Sequence, residues 1–431
     1  MTAGTASRTI ITDPDFYGSL TAARDLGRAG HDVAVVEVAS RVSRAASSRY
    51  CTQRLRAPAA HHSAAMVDWL VRVGMAWPGT LLYPSSDDMA WRIALSQDRL
   101  RQHYQLYQPR AQSTLGLLDK SQLYAHAETC GVPYPRTYAP VSIDDVRDLG
   151  ATLARADALP VIVKPRTQAG GVKSKGLVAR TLRQLEESIE KLRHPDCFSS
   201  DFMHDAPANI RWPLVQDFMP EAATHTYSLS GFIDGTGTVR AARASTKVFQ
   251  IPVSVGTGIA FEGRAVRQEQ VSAVEAIARS SGYFGAFEAE FIQSVDGRYY
   301  LMDFNPRYYG QMNFEVSRGM RLPSIVCAAA SGDDVALERL LVESARTLRC
   351  EDAASQRFTE RWLFKMLLRT QHLGGRLDSH VHEQWLTWMN TGDVFDFVHA
   401  DDDPNPGTHN RSSHWRHWLR YPRSSYRILF R

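Results

Sequence analysis

Between Phe287 and Gly310 the chain reads FEAEFIQSVDGRYYLMDFNPRYYG, two apolar, aromatic-rich runs that carry Glu288, Glu290 and Asp303. Asp296-Gly297 is a strong hairpin signal, and a two-residue turn there pairs Val295 with Arg298. Counting outward sets Glu290 opposite Asp303 and Glu288 opposite Asn305. Alternation then puts these four polar side chains on one face and Phe287, Ala289, Phe291, Met302 and Phe304 on the other. Like charges directly opposed across a strand pair are destabilising, so something must compensate them. A divalent cation would do so, and carboxylate and amide oxygens are the hard ligands that Mg2+ accepts. The plainer alternative is a solvated polar face, and a bulge would break the assumed register.

A second group of residues suits anionic oxygens. A strand ending in Lys164 is followed by Gly170-Gly171 and then by Lys173, Ser174 and Lys175. Glycines let backbone N–H groups approach phosphate oxygens, and lysines supply point charges. No GxxxxGK[ST] occurs in the chain, so this is not a P-loop. A surface turn with solvated lysines is the alternative.

Several elements must position these groups. TIIT, SLTAARDLGRAG, DVAVVEV and TLLYP read as strand, helix, strand and strand of an α/β unit. Ligands of open parallel sheets lie beyond the carboxyl ends of the strands, so TDPDFYG and PSSDD are expected to line one crevice. Only Gly18 stands where a dinucleotide fingerprint requires three glycines, which argues against an NAD-binding fold. A boundary is expected near LLDKSQLYAHAETCGVPYPRTYAP, ahead of new α/β material that includes LPVIVK and PLVQDFM. Later, FTERWLFKMLLRT and EQWLTWMNT read as amphipathic helices.

The 431 residues, 44% hydrophobic and 22% charged, have the composition of a soluble protein with a sizeable core. No apolar run approaches the roughly 18 residues of a membrane span, and MTAGTASRTI lacks a secretory core, so a cytoplasmic location without membrane contact is expected. A net charge of +4 does not imply nucleic acid. The last 21 residues hold six Arg and no acid, and are read as a docked terminal segment with its arginines in solvent. Cys51, Cys130, Cys197, Cys327 and Cys350 have no metal-like spacing and are read as reduced.

Four motifs in order resemble the ATP-grasp superfamily, specifically its carboxylate–amine ligase and carbamoyl phosphate synthase-like members. They are Asp119-Lys120, VIVKPRTQAGG, QDFMP at Gln216 to Pro220, and AEFIQSVDGRYYLMDFNPRYYG. The resemblance covers about residues 8–320. It implies an α/β fold with an N-terminal Rossmann-like domain over 1–118 and an ATP-grasp domain over 119–330, with a lid at about 145–215. A helical, Trp-rich extension over 331–431, with a packing role that shapes the acceptor pocket, completes the expected organisation.

The same resemblance implies ATP and Mg2+ as cofactors, with Mn2+ as a substitute. Lys120, Lys164, Gly170, Gly171 and Ser174 would hold phosphates, and Gln216, Asp217, Phe218 and Met219 the adenine. Glu221, or His225, would reach the ribose. Glu290, Asp303 and Asn305 would hold one or two metal ions, with Asp303 one methylene shorter than the Glu usual there. Arg307 would hold the γ-phosphate or the reacting carboxylate. Lys247 would face phosphate or substrate, beside a substrate loop over Val255–Gly258. The implied reaction joins a small carboxylic acid to an amine through an acyl phosphate, releasing ADP and phosphate, and a homodimer is left open. A bicarbonate-using carboxylase and a nucleotide-binding module without catalysis are the rivals.

Overall fold

β1 (Arg8–Ile11), β2 (Asp32–Glu37), β3 (Gln53–Arg56), β4 (Thr80–Leu82) and β5 (Tyr104–Gln105) form a parallel sheet in the order β3-β2-β1-β4-β5. The apolar side chains of β1, β2 and β4 are buried, as expected for a parallel sheet covered on both faces. In the computed structural model, which describes residues 7–38, 42–58, 64–172, 174–251, 257–350 and 353–421, this sheet is the N-terminal unit. The loops beyond β1 and β4 meet as the sequence suggests: Ser86 Oγ donates to Asp13 Oδ2 at 2.8 Å. Ser86 also caps the helix Asp87–Leu95 by accepting from the Met89 N–H, so two aspartates stand in that helix's first turn.

β6 (Thr137–Tyr138), β7 (Val161–Lys164), β8 (Leu177–Ala179) and β9 (Leu214–Asp217) form an antiparallel sheet in the order β6-β9-β7-β8. The helices Ile143–Arg155 and Leu182–Arg193 cover it, burying Leu149, Leu153, Leu185 and Ile189 against Val161 and Val163. This small unit starts at Thr137, earlier than the lid boundary expected from the sequence.

The largest sheet contains β10 (Thr226–Ile233), β11 (Val239–Ile251), β12 (Thr257–Arg264), β13 (Gly285–Gln293), β14 (Tyr299–Asn305), β15 (Gln356–Thr359) and β16 (Asp393–Asp396). Its order is β14-β13-β10-β11-β12-β15-β16. The C-terminal segment, expected to be helical, therefore adds two strands. QRFT and DVFD are four residues each, too short for alternation to stand out beside the long helices Arg361–Leu373 and Ser379–Asn390. No helix among the described residues is long and apolar enough to cross a membrane.

The β13–β14 pair corrects the hairpin count in an instructive way. Glu290 faces Asp303 and Glu288 faces Asn305. The turn, however, is not a two-residue one: Ser294, not Val295, pairs with Arg298, and Gly297 closes the loop at φ +83°. A three-residue loop ending in a left-handed glycine is the next commonest hairpin connection. It offsets the register by one, so that Phe291 pairs with Leu301, and a bulge at Met302 restores the register at Asp303. Leu301, rather than Met302, consequently joins Phe287, Ala289, Phe291 and Phe304 in the core.

The N-terminal unit packs directly on the chain that follows β14. Gly18, in the helix Tyr17–Arg28, lies so close to Tyr309 that a Cβ there would sit 2.6 Å from the Tyr309 carbonyl oxygen. Tyr308 N–H donates to the Pro84 carbonyl at 3.1 Å, tying the same segment to the end of β4. Gly18→Ala is expected to destabilise the protein by about 1–3 kcal/mol through overpacking, read from the denaturation midpoint at unchanged slope. Wild-type stability in that variant would contradict the close approach.

Candidate active site

The opposed carboxylates on β13 and β14 each meet a lysine. Lys120 Nζ pairs with Asp303 Oδ1, and Lys247 Nζ lies 3.9 Å from Glu290 Oε2. Burial works against the charge of Asp303, but Lys120, and then Lys175 and Lys164, hold its carboxyl below the usual range.

Lys120 is delivered by local capping. It is the first residue of the helix Lys120–Thr129, whose N-cap Asp119 accepts from the Ser121 N–H at 3.0 Å. Asp119 also takes a two-pronged contact from Arg166, at 3.0 Å from Nε and 2.6 Å from Nη2. Lys120 N–H donates to the Arg166 carbonyl at 2.8 Å, so the helix start is fastened to the loop that follows β7. Lys164, the last residue of β7, donates to Gln216 Oε1 at 2.8 Å, and Gln216 Nε2 donates to Thr137 Oγ1 at 2.8 Å. Burial, and next the nearby charge of Lys120, push the Lys164 ammonium down to about 8.

On the other side of the carboxylates lies Arg307. Its Nε donates to Asp87 Oδ1 at 2.5 Å, Nη2 to Asn305 Oδ1 at 2.9 Å and Nη1 to the Tyr308 carbonyl at 2.9 Å. Burial opposes its charge, yet the Asp87 carboxylate prevails and raises its pKa. Asn305 Nδ2 donates to Glu288 Oε2 at 3.1 Å, and Gln311 Nε2 donates to Glu288 Oε1. Glu288 is buried, and burial followed by the Glu290 charge pushes its carboxyl well above the usual range.

Two cavities meet at the carboxylate pair. The first runs between the small antiparallel sheet and the large one, with Ile162, Phe218, Met219, Ala222 and Met302 as apolar lining and Lys120 and Lys164 at its polar end. Its volume of about 130 Å³ is below the roughly 300 Å³ at which small-molecule pockets begin. The second is a chamber of about 640 Å³ that reaches Asp15, Tyr17, Arg44, Asp87, Asn305, Arg307 and Phe397. Gln168, Lys175, Lys247, Glu290 and Asp303 line both.

Of the residues singled out in the sequence, Lys120, Lys164, Asp217, Phe218, Met219, Lys247, Glu290 and Asp303 line the first cavity. Gly171, Asn305 and Arg307 line the chamber. Gly170 N–H donates to Asp88 Oδ1 at 2.5 Å, which joins the glycine loop to the helix Asp87–Leu95. Ser174, Gln216, Glu221 and His225 line neither cavity. Gln216 instead orients Lys164, and the segment after Met219 turns as a 3-10 helix at Pro220–Ala223 that presents Ala222. Lys173 and the Val255-Gly256 part of the expected substrate loop lie outside the described residues. Asp87, Gln168 and Met302 are additions. PSSDD pointed to the first, the second lies within VIVKPRTQAGG without having been singled out, and the bulge exposes the third.

No protein-family model matches the sequence, and no curated protein matches it. Solved structures do. The biotin carboxylase domain of Hydrogenobacter thermophilus 2-oxoglutarate carboxylase, solved with MgADP, ADP and bicarbonate, matches with a TM-score of 0.60 at 13% identity, over 76% of this chain and 70% of that one. Biotin carboxylase from Campylobacter jejuni, in a β,γ-ATP complex, matches with a TM-score of 0.57 at 16% identity, over 76% and 71%. An N5-carboxyaminoimidazole ribonucleotide synthetase, in an ADP complex, matches with a TM-score of 0.55 at 12% identity, over 75% and 76%. The likeness is one of fold, and the fold is the ATP-grasp fold that the motifs led us to expect.

The Arg307–Asp87 pair has side-chain exposures of only 14% and 13%, so removing the carboxylate leaves a poorly compensated guanidinium. Asp87→Ala is expected to cost about 2–3 kcal/mol, and adding Arg307→Met should recover part of that loss. Strictly additive effects in the double variant would contradict a direct pairing.

Proposed function

We propose that this protein is an ATP-dependent carboxylate–amine ligase that works through an acyl phosphate. The observation that carries this reading is the meeting of a lysine-bearing cavity and a second chamber of mixed lining at Glu290 and Asp303. A nucleotide in the first cavity and an acid in the second would come together there.

No cluster of three or more His, Cys, Asp or Glu side chains suited to a metal occurs among the described residues. Mg2+ at nucleotide sites takes one or two carboxylates and completes its shell with phosphate oxygens and water, so Glu290 and Asp303 with the Asn305 amide oxygen fit. Bound there, the metal would neutralise phosphate charge. Lys120 must leave Asp303, and it then becomes a phosphate partner itself. The first cavity is small for a nucleotide, and movement of the sheet carrying Lys164 would widen it.

In the first step a carboxylate oxygen of the acid attacks the γ-phosphorus and ADP leaves. In the second, the amine attacks the acyl carbon, loses a proton and expels phosphate. Arg307 orients the acid through charge-assisted hydrogen bonds, while Lys120 and Lys164 offset charge on the phosphates. The loop with Gly170 and Gly171 would cover the acyl phosphate and exclude water. Consumption of ATP suits the cytoplasmic location expected from the sequence. A bicarbonate-using carboxylation is the second reading, favoured by the fold shared with biotin carboxylases; the chamber of about 640 Å³ favours a larger acid.

A screen of acids with ATP and hydroxylamine tests this reading. A true acid should yield a hydroxamate, and ¹⁸O from its carboxylate should appear in released phosphate. Glu290→Gln and Asp303→Asn should stay folded and lose turnover by a factor on the order of 10² or more. Near-native turnover in both, or AMP and pyrophosphate as products, would contradict the proposal.

The low Lys164 value sets a pH dependence. The ammonium is charged below about 8 and neutral above it, so the free protein should lose affinity for ADP as pH rises through about 8. Calorimetry at pH 7 and pH 9 checks this, and Lys164→Met should flatten the profile at weaker binding. An unchanged affinity in the wild type would contradict a phosphate role for Lys164.

A further inference from the structure

The end of the chamber remote from the nucleotide cavity is built around Arg44. Its Nε and Nη2 donate to Asn410 Oδ1 at 3.0 and 2.6 Å, and its Nη1 donates to the Asp15 carbonyl. All three guanidinium contacts are to neutral oxygens, and the nearby Asp15 carboxylate instead accepts from the Arg44 backbone N–H at 3.2 Å. Five N–H donors on a guanidinium leave one on each terminal nitrogen. The cation stacks 4.2 Å over the Tyr17 ring, which fixes its plane.

The support beneath Arg44 is anchored from the C-terminal segment. Buried Glu360 accepts from Tyr17 Oη at 2.7 Å and from Asn410 Nδ2 at 2.6 Å. The second contact orients the Asn410 amide so that its oxygen, not its nitrogen, faces Arg44. One carboxylate thus holds both the stacking ring and the acceptor, without taking a hydrogen bond from the guanidinium itself. Beside this cation runs an apolar wall: Phe397 lies 5.0 Å from Tyr17 and 6.0 Å from Phe261 between ring centroids, and Phe16 is 50% exposed. At the near end, by contrast, Arg307 is paired with Asp87, and Lys247 lies near Glu290.

The geometry points to a second anion subsite: Arg44 binds a carboxylate other than the one activated, on a substrate whose apolar group lies against Tyr17, Phe261 and Phe397. This rests on the ligase reading for the identity of the chamber. Two sources share the chemistry. Either the amine is an amino acid that keeps its own carboxylate, or the acid is a dicarboxylate activated at one end only.

Calorimetric titration of the full chain with two matched probe pairs, with and without MgADP, separates them. L-Phenylalanine against L-phenylalaninamide reports the amino acid, and phenylsuccinate against 3-phenylpropionate reports the dicarboxylate. In one pair the extra carboxylate should tighten binding by about tenfold or more, as a charge-assisted contact does. Arg44→Gln should abolish that preference with MgADP affinity unchanged, and Arg44→Lys should retain part of it. Absence of a preference in both pairs, or a preference that survives Arg44→Gln, overturns the subsite. A wild-type protein that binds no MgADP overturns the ligase reading, while the carboxylate preference still decides the role of Arg44.

Discussion

Glu290 and Asp303 face each other across β13 and β14, where two carboxylates on adjacent strands repel, and much of the surrounding structure serves to compensate that repulsion. Lys120 and Lys247 arrive from opposite sides, one from a helix start and one from β11. The lysine on Asp303 is itself held by Asp119, Arg166 and the loop after β7. A site of this kind has lysines set against its carboxylates before any ligand binds, and in the proposed reaction those lysines would pass to phosphate as a cation takes the carboxylates. Replacing the partner of a buried charge costs far less than leaving that charge buried and bare.

The N-terminal sheet is part of the same arrangement. The first turn of the helix Asp87–Leu95 offers Asp87 to Arg307 and Asp88 to Gly170, so one turn of helix touches both the arginine after β14 and the glycine loop. Gly18 lets the helix Tyr17–Arg28 lie against the Tyr309 backbone. The C-terminal segment contributes at the far end of the chamber through Phe397, Glu360 and Asn410. Three parts of the chain thus build one enclosure, and the large sheet is its floor.

Local patterns in the sequence carried much of this. The apolar runs of β1, β2 and β4 and the strand ending at Lys164 are readable because each is continuous and bounded by turn residues. The hairpin register was reached through two offsets that cancel: a turn one residue longer than counted and a bulge at Met302. Alternation alone carries no signal for either, and Met302 therefore moved from the expected core to the cavity. The pairs Arg307–Asp87, 220 positions apart, and Arg44–Asn410, 366 apart, are set by how the sheets are assembled, which no local pattern encodes. Gln216 shows the complementary limit, since its place in the motif is clear but its side chain turns inward to Lys164.

In the proposed reaction Glu290 and Asp303 form a cation site shared with nucleotide phosphates. Crystals grown with ADP and Mn2+ and measured at the manganese absorption edge decide this, because anomalous scattering locates the ion independently of the protein phases. One or two manganese peaks are expected within coordination distance of the Glu290 and Asp303 carboxylates and of ADP phosphate oxygens, with Lys120 displaced from Asp303. Bound ADP with manganese elsewhere, or with the Lys120–Asp303 pair intact and no peak beside it, would contradict it.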